Sequence, residues 1–308
     1  MPEGHSVHRL ARQFQDVFGG RRLDVSSPQG RFSAGAGLLS GHTMVEAMAH
    51  GKQMFLRFDH GLILHVHLGL YGAWNFGGDE SFRGASSIGA PRRIGERESA
   101  SDAAAGSYQG PPEPVGAVRV RLVSDHGWAD LRGATTCAAV TEAEAQAVLD
   151  RLGPDPLRNA PGDREEFLRR LRRRRTAVGL LLMDQAILAG VGNIYRAEVL
   201  FRQRVDPWTP GAAIDAGTAE RIWEDTVLAM SDGVRDGRIV TTPPDVWSAG
   251  TEVPHDDEAH YVYKRQGQPC RSCGTAVGLA EIGARKLYWC PGCQTDPGTT
   301  PHTGAGIP

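Results

Sequence analysis

The sequence opens with Met1-Pro2-Glu3-Gly4-His5-Ser6-Val7-His8-Arg9-Leu10, and the rest of the chain is organised around this stretch. An initiator methionine before proline is normally removed, so we expect the mature chain to begin with the secondary amine of Pro2. An α-amine has a pKa of about 8, against about 10.4 for lysine, so far more of it is unprotonated and nucleophilic at neutral pH. Such an amine can condense with an aldehyde to a cationic iminium, and Glu3 beside it is placed to move protons.

An amphipathic helix is predicted directly after this start. Its apolar face consists of Val7, Leu10, Ala11, Phe14, Val17 and Phe18, and Gly19-Gly20 ends it. Burial of that face would hold Pro2 in one place, as a catalytic terminus requires. Many chains begin with Met-Pro, so the motif alone indicates no function.

Length and composition limit the classes of protein. The 308 residues are enough for two domains, and no stretch approaches the ~20 apolar residues of a membrane span. No secretory signal is seen, so we expect a cytoplasmic protein. The net charge of −2 argues against binding polyanions over the whole surface, but not against local basic patches. Only Lys52, Lys264 and Lys286 compete with the N-terminus for imine chemistry.

The hydrophobic period predicts mostly antiparallel strands before residue 152 and helices after it. Residues 20–75 alternate as strands do, with a hairpin turn at Asp59-His60-Gly61, and residues 77–115 are expected to form a mobile surface loop. Gly153-Pro154-Asp155-Pro156 is the expected hinge. A short helix is predicted at 141–152, before the hinge. Beyond the hinge the hydrophobic period changes to 3.6 residues and predicts helices at 163–173, 177–183, 194–204 and 215–235.

Four of the five cysteines form two C-x-x-C pairs, Cys270/Cys273 and Cys290/Cys293. Without an export signal this spacing predicts a tetrahedral Cys₄ zinc ribbon of structural type. The hairpin between the pairs carries Arg285, Lys286, Tyr288 and Trp289, a basic and aromatic tip that suits either insertion into nucleic acid or stability alone. The fifth cysteine, Cys137, is expected to be a small buried apolar residue.

Three further segments have both a structural and a functional interpretation. Gly190–Arg196 contains two glycines and Asn193, and we expect Asn193 to cap the next helix. This segment is either an ordinary turn between helices or an anion-binding site. Residues 169–175 contain six arginines, which form a solvated helix face or follow a phosphate backbone. Lys52 is expected at the start of a strand, where a lone lysine is usually an edge or solvent residue. The apolar pair Leu70-Tyr71 belongs either to the core or to an exposed wedge.

Taken together, the motifs resemble the formamidopyrimidine-DNA glycosylase/endonuclease VIII family of base-excision repair enzymes. The matching stretches are Met1–His5, Gly51-Lys52, Gln185–Glu198, Tyr261–Cys270 and Ala284–Cys290. The resemblance implies an α+β fold of two domains, with DNA bound between them. The expected parts are an N-terminal β-sandwich catalytic domain with a leading helix (2–152), a helix–two-turns–helix DNA-binding domain (153–257), a Cys₄ zinc finger (258–294) and a disordered tail (295–308).

The resemblance also implies roles for individual residues. Pro2 would attack C1′ of the damaged nucleotide, Glu3 would act as acid and base, and Lys52 would assist β-elimination. Arg285 would contact phosphate and assist δ-elimination, and Asn193 would bind the phosphate beside the flipped nucleotide.

Further DNA contacts are predicted in two places. Leu70 and Tyr71 would fill the gap that an extruded base leaves, because a glycosylase must take its base out of the stack. Lys264 and Arg265 would contact the backbone and position DNA without reading its sequence. The expected partner is damaged or abasic DNA, bound by a monomer associated with the nucleoid, and the expected cofactor is one structural Zn²⁺.

Two features favour the endonuclease VIII branch. The Asp-x-Arg-x-Phe wedge of the formamidopyrimidine branch corresponds here to Asp130-Leu131-Arg132-Gly133-Ala134, which lacks the aromatic residue. Leu70-Tyr71-Gly72 matches the loop with which the endonuclease VIII branch fills the gap in the duplex. Oxidised pyrimidines are therefore the expected substrates, followed by β,δ-elimination at the abasic site. The alternatives are a non-catalytic, zinc-dependent damaged-DNA binding protein and a proline-nucleophile tautomerase, which would need no zinc finger.

Overall fold

The structure is a computed structural model that describes residues 2–90 and 110–295. Residues 91–109 of the predicted loop at 77–115 and all but the first residue of the predicted tail at 295–308 lie outside the described residues. The chain divides into two compact units, Met1–Arg151 and Leu152–Pro308.

The first unit combines an antiparallel sheet with three helices in its described part. The helices are α1 (Gly4–Phe18), α2 (Ser33–Leu39) and α3 (Glu142–Leu149). The strands are β1 (Arg21–Ser26), β2 (His42–His50), β3 (Gln53–Phe58), β4 (Ile63–His67), β5 (Ala73–Gly78), β6 (Ser87–Gly89), β7 (Val120–Val123), β8 (Gly127–Arg132) and β9 (Thr136–Val140).

Strand β1 divides the sheet into two halves. The strand order is β6-β5-β8-β7-β1-β2-β3-β4-β9, and Arg21–Leu23 pair with β2 whereas Asp24–Ser26 pair with β7. Both halves and α1 contribute side chains to one hydrophobic core, among them Phe14, Met54 and Trp74. This is the predicted β-sandwich opened by a helix.

Two elements of this unit differ from the sequence-based expectation. Helix α2 lies within the stretch expected to be strands, and it buries only Ala36 and Leu39. Strand β6 lies within the stretch expected to be a loop and pairs with β5. Both are short and rich in small residues, so neither produces a clear hydrophobic period.

The second unit is helical, with a small hairpin near its end. Four helices occupy the four stretches whose period predicted them: α4 (Asp163–Arg172), α5 (Val178–Leu181), α6 (Asn193–Arg202) and α7 (Ala216–Asp236). The hairpin consists of β10 (Gly278–Ile282) and β11 (Arg285–Trp289). Among the described helices of both units, none is long and apolar enough to cross a membrane.

The helices pack around a core of their own. Its fully buried members include Phe167, Tyr195 and Ile222, from α4, α6 and α7. A smaller apolar cluster joins Ala197 and Phe201 of α6 to Tyr288 and Cys290 of the hairpin segment. The hairpin is therefore fixed to α6.

Candidate DNA-processing site

The N-terminal segment is held in the first unit as a fixed start to α1. Pro2 is buried, and the Glu3 side chain is fully buried. The helix begins at Gly4, with the main-chain oxygen of Glu3 accepting a bond of 3.1 Å from Ser6 N. Burial, with a smaller effect of the Arg9 charge, lowers the pKa of His5 to about 3. The imidazole of His5 is thus neutral at physiological pH and lies 3.1 Å from the Ser6 hydroxyl.

Helix α1 is fixed by both apolar and polar contacts. The Phe14 ring packs edge-on against Trp74, with centroids 4.7 Å apart. Ala47 N donates to Gln15 Oε1 over 2.8 Å, and the Gln13 side chain exchanges two hydrogen bonds with the main chain of Ala85. These contacts give Pro2 and Glu3 the fixed position that a catalytic terminus needs.

Lys52 lies in the turn between β2 and β3, not at a strand start as expected. Gly51 takes φ +56° there, in the left-handed region that glycine adopts without strain. The next residue, Gln53, pairs with His67 at the end of β4. Burial and the Lys52 ammonium both lower the pKa of His67, so the two side chains are electrostatic neighbours. This partner was not predicted from the sequence, although a strand-end histidine opposite the turn was a usable signal.

Leu70 and Tyr71 form an exposed turn after β4, with exposed fractions of 43% and 79%. The turn is closed by a bond of 3.0 Å from Gly72 N to Leu68 O. Gly69 takes φ +66°, and a Cβ there would lie 1.9 Å from Thr135 Oγ1, so any other residue at this position would be strained. The pair is therefore exposed and does not belong to the core; its role as a wedge in DNA remains a prediction.

Asp130 and Arg132 belong to a polar network inside the first unit. The guanidinium of Arg121 donates to both carboxylate oxygens of Asp130, over 2.7 and 2.9 Å. Arg132 donates to Asp130, to Asn75 Oδ1 and to Val115 O. The guanidinium of Arg132 is thus occupied within the protein.

The glycine-rich turn before α6 is braced by Gln185. Its side-chain nitrogen donates to Met183 O and Val191 O, and its oxygen accepts from Gly190 N over 3.0 Å. No role for Gln185 was expected from the sequence. The signal was its place at the start of the matching stretch Gln185–Glu198.

Asn193 is the first residue of α6 and does not cap it, contrary to the expectation. The N-cap is Gly192, which has no side chain to accept a bond. The Asn193 amide instead donates to Lys286 O over 3.0 Å, and its oxygen accepts from Arg196. Arg196 also donates to Lys286 O over 3.0 Å. The start of α6 is therefore tied to β11.

The four paired cysteines form one cluster. The sulfur atoms of Cys270 and Cys293 lie 3.9 Å apart and those of Cys273 and Cys290 lie 3.5 Å apart, with all four atoms within 4.8 Å of one another. Tetrahedral coordination with metal–sulfur bonds of about 2.3 Å requires sulfur separations of about 3.8 Å. The cluster is compact enough to hold a four-coordinate metal ion.

Arg285 and Lys286 are exposed beside the hairpin tip, but the aromatic residues are not. Tyr288 and Trp289 are buried, so the prediction of an aromatic tip is wrong. Trp289 packs edge-on against Trp208, with centroids 4.7 Å apart. The tip is the turn Gly283-Ala284, where both residues take positive φ, as in a type I′ hairpin turn.

Lys264 and Arg265 occupy different environments. Lys264 is exposed with φ +59°, and its ammonium lies 5.8 Å from the Tyr263 ring centroid. Arg265 is only 7% exposed, and its guanidinium donates to Tyr261 O, Gln268 Oε1 and Pro269 O. This burial argues against the direct DNA contact predicted for Arg265.

Glu198 explains how the segment before the two cysteine pairs is fixed. Its buried carboxylate accepts from the consecutive main-chain N–H groups of Tyr261, Val262 and Tyr263, over 2.8–2.9 Å. It also accepts from Thr241 Oγ1 over 2.5 Å. The exposed Lys264 follows directly, so its position depends on a carboxylate of α6.

Comparison with known proteins agrees with this arrangement. The model of the formamidopyrimidine-DNA glycosylase N-terminal domain matches residues 1–133, and that of the formamidopyrimidine-DNA glycosylase H2TH domain matches residues 152–244. Endonuclease 8 1 of Mycobacterium tuberculosis (strain ATCC 25618 / H37Rv) is 40% identical over 295 residues, covering 96% of this chain and 100% of that protein.

Two further relatives belong to the formamidopyrimidine branch. Formamidopyrimidine-DNA glycosylase of Acidovorax ebreus (strain TPSY) is 31% identical over 305 residues, covering 96% of this chain and 99% of the relative. The Lactococcus lactis Fpg in complex with DNA containing an abasic site shares the fold, with a TM-score of 0.69 at 17% identity and coverage of 96% and 100%. The chain belongs to the formamidopyrimidine-DNA glycosylase/endonuclease VIII family of DNA-repair glycosylases.

Proposed function

We propose that this chain is a bifunctional DNA glycosylase/AP lyase of base-excision repair, which removes oxidised pyrimidines and cleaves abasic sites by β,δ-elimination. The observation that carries the proposal is the Pro2-Glu3 pair, buried and fixed at the start of α1. The 40% identity to an Endonuclease 8 over 96% of the chain supports it.

The reaction starts at the Pro2 nitrogen once Met1 has been removed. The amine attacks C1′ of the damaged nucleotide, the bond from C1′ to the base breaks, and the base leaves with a proton. Ring opening gives an iminium between Pro2 and C1′, which acts as an electron sink. Removal of a C2′ proton then expels the 3′ phosphate, and δ-elimination expels the 5′ phosphate. Glu3 is the group that carries these protons.

Four other side chains bind the backbone in this proposal. Lys52, in the tight turn after β2, neutralises a phosphate and assists β-elimination. Arg285, exposed beside the hairpin tip, contacts phosphate and assists δ-elimination. Asn193 and Lys264 hold flanking phosphates. Contacts of this kind position the duplex without reading its sequence.

The preference for pyrimidines rests on the turn after β4. Leu70 and Tyr71 are exposed apolar side chains available to fill the gap left by an extruded base. Ala134 stands where the other branch has an aromatic wedge, and Arg132 is bound within the protein. Both features favour filling of the gap in the duplex in the manner of the endonuclease VIII branch.

The metal in the cysteine cluster is zinc in this proposal, because four thiolates in a closed tetrahedron are a typical structural zinc site. Cys270, Cys273, Cys290 and Cys293 would hold it, and it would fix the hairpin that carries Arg285. The partner is damaged or abasic DNA, acted on by a monomer in the nucleoid of the cytoplasm.

Reduction with borohydride during incubation with abasic duplex DNA tests the lyase. We expect a covalent adduct that maps to the N-terminal peptide and release of oxidised pyrimidines in preference to 8-oxoguanine. The control variant extends or acetylates the N-terminus and should give no adduct. An undiminished adduct at Lys52 would overturn the assignment of Pro2.

The second candidate is a non-catalytic protein that only recognises damaged DNA. It would keep the cysteine cluster, Asn193 and the arginines, but it would bind abasic duplex without forming any adduct. The presence of Pro2, Glu3 and Lys52 together favours the enzyme.

A further inference from the structure

A cluster on the surface of the first unit combines two imidazoles and a carboxylate. Within residues 2–90 and 110–295, two groups of three or more metal-ligating side chains have their ligand atoms within 4.8 Å of one another. One is the set of four cysteines, and the other consists of His42, Asp59 and His60. The proposed glycosylase and lyase reactions make no use of this second group.

The cluster lies at the opposite end of β2 from the turn that carries Lys52. His42 is the first residue of β2 and His50 is the last. At about 3.3 Å per residue, the strand separates the two places by roughly 25 Å. The cluster is therefore distinct from the turn to which a phosphate contact is assigned.

The main chain fixes the carboxylate of the cluster. Asp59 N donates to Thr43 O over 2.9 Å, and Thr43 N donates to Asp59 Oδ2 over 3.2 Å. Gly61 takes φ +86° directly after His60, in the turn between β3 and β4. The Asp59 side chain is thus held against the start of β2, with Oδ1 left to face the two histidines.

Both histidines bring Nδ1 close to this one oxygen. His42 Nδ1 lies 3.0 Å and His60 Nδ1 lies 3.7 Å from Asp59 Oδ1. Ligand atoms that bind one ion at about 2.0–2.2 Å lie about 3–4 Å from each other. Both separations from Oδ1 are therefore those of ligands that share a metal ion.

A main-chain oxygen determines which nitrogen of His60 is available. His60 Nε2 lies 3.0 Å from Leu38 O, and because a carbonyl oxygen only accepts, this nitrogen carries a proton. In the neutral imidazole Nδ1 then holds the lone pair, which lies near a carboxylate oxygen. A cation between the two atoms relieves the repulsion of their lone pairs. A bond from the second ring nitrogen to a carbonyl is also the arrangement that orients histidine ligands in metal sites.

The two imidazoles are stacked, with ring centroids 3.6 Å apart and 19° between their planes. Neutral imidazole, which stacks without charge repulsion, is also the form that binds metal ions. The His42 ring must turn out of the stack to direct Nδ1 at an ion beside His60 and Asp59. Its partial exposure permits this rotation.

We propose that His42, Asp59 and His60 bind one divalent transition-metal ion, separate from the ion of the cysteine cluster. Two imidazole nitrogens with one carboxylate oxygen suit Zn²⁺, Ni²⁺ or Cu²⁺, whereas Ca²⁺ and Mg²⁺ prefer oxygen ligands alone. Three protein ligands leave at least one coordination position to water. The ion at this site is therefore exchangeable, unlike an ion enclosed by four thiolates.

Calorimetric titration of the untagged, zinc-loaded protein with Ni²⁺ tests the site. We expect one equivalent to bind to the parent. Loss of an outer-shell partner alone weakens metal binding 10–100-fold, so His42→Gln and Asp59→Asn, which each remove a ligand, should weaken it at least about tenfold. Added Ni²⁺ should also raise the Tm of the parent but not that of the double variant His42→Gln/His60→Gln.

His126→Gln is the matched control. The imidazole of His126 also faces a carboxylate, that of Asp79 over 2.7 Å, but it belongs to neither group of metal-ligating side chains. This variant should bind Ni²⁺ as the parent does. Equal affinities of the parent and the double variant would overturn the proposal. Release of zinc in step with nickel binding would place the nickel at the cysteines and would also overturn it.

Paramagnetic broadening by Ni²⁺ gives a test that needs no variant. The ring signals of His42 and His60 should broaden in NMR spectra at substoichiometric Ni²⁺, before those of the exposed His126 and His255. Broadening of all four rings together would show unspecific adsorption and contradict the site.

Discussion

The side-chain amide of Asn193 donates a hydrogen bond of 3.0 Å to the main-chain oxygen of Lys286, 93 residues further along the chain. Arg196, one turn later on α6, donates to the same oxygen over 3.0 Å. The start of α6 and the hairpin strand that begins with Arg285 are thus held as one piece. Asn193 and Arg285, to which separate motifs assign phosphate contacts, are therefore positioned by the same hydrogen bonds.

Replacement of Asn193 by alanine should weaken binding to intact, damaged and abasic duplexes by a similar factor. Removal of the hydrogen bond to Lys286 O should lower the free energy of unfolding by about 1 kcal/mol. Lys286→Ala is the control, because it keeps the main-chain oxygen that accepts the bond. Duplex affinity by anisotropy and chemical unfolding are the measurements, and a weakening confined to one lesion would contradict a backbone role.

Cys290→Ser should remove the metal ion. The binding free energy of a structural zinc is largely folding free energy, so the hairpin should lose its order and duplex binding should fall. Elemental analysis should show about one equivalent of zinc in the parent and almost none in the variant. Cys137→Ser, which changes a thiol outside the cluster, should keep the metal. Full zinc content in Cys290→Ser would show that the cluster is misassigned.

Lys52→Gln should raise the pKa of His67, because the Lys52 ammonium now contributes to lowering it. Burial would still keep that pKa below the ordinary value. Titration of the imidazole by NMR measures the change, and Lys264→Gln should leave it unaffected. Cleavage of abasic duplex should fall about tenfold or more, since a charge-assisted bond to phosphate contributes about 1.5–3 kcal/mol. An unmoved His67 titration would contradict the proximity of the two groups.

Tyr71→Ala should leave the fold intact, because the side chain is 79% exposed. The free energy of unfolding should change by no more than about 0.5 kcal/mol. Excision of an oxidised pyrimidine should slow, since the gap in the duplex is no longer filled, while cleavage of a preformed abasic site should be less affected. Leu279→Ala, at another exposed apolar position, is the control in single-turnover assays. Equal effects on both substrates would contradict the filling role.

Stability should fall in mild acid because two histidines are buried in the neutral form. Burial lowers the pKa of His5 to about 3 and that of His65 to about 4. The unfolded chain binds a proton at each site below about pH 6.5, whereas the folded chain does not, so protons favour unfolding. The stability is fully present above that pH and is lost as the pH falls toward the folded pKa values.

The expected loss from His5 alone is about 2 kcal/mol at pH 5. His5→Asn should flatten the dependence of the unfolding midpoint on pH between 7 and 5. His8→Asn, at a half-buried position of the same helix, is the control and should keep the parent slope. Identical slopes for the parent and both variants would contradict the buried neutral state.

Local spacing in the sequence was sufficient to predict most of the regular elements and the cysteine cluster. Apolar residues at helical spacing predicted α1, α4, α6 and α7, because that period describes one buried face of one helix. The two C-x-x-C pairs predicted the cysteine cluster, since each pair occupies a single tight turn. Helix α2 and strand β6 were missed because their small residues leave no period.

Only the tertiary structure decided which side chains meet across the chain. Tyr288 and Trp289 were predicted at an exposed tip, but α6 and Trp208 cover them. Arg265 was predicted to contact DNA, but three acceptors of its own segment surround it. Asn193 was predicted to cap a helix, but its partner is the oxygen of Lys286. A local pattern fixes the face on which a side chain lies, whereas packing between distant segments determines what covers that face.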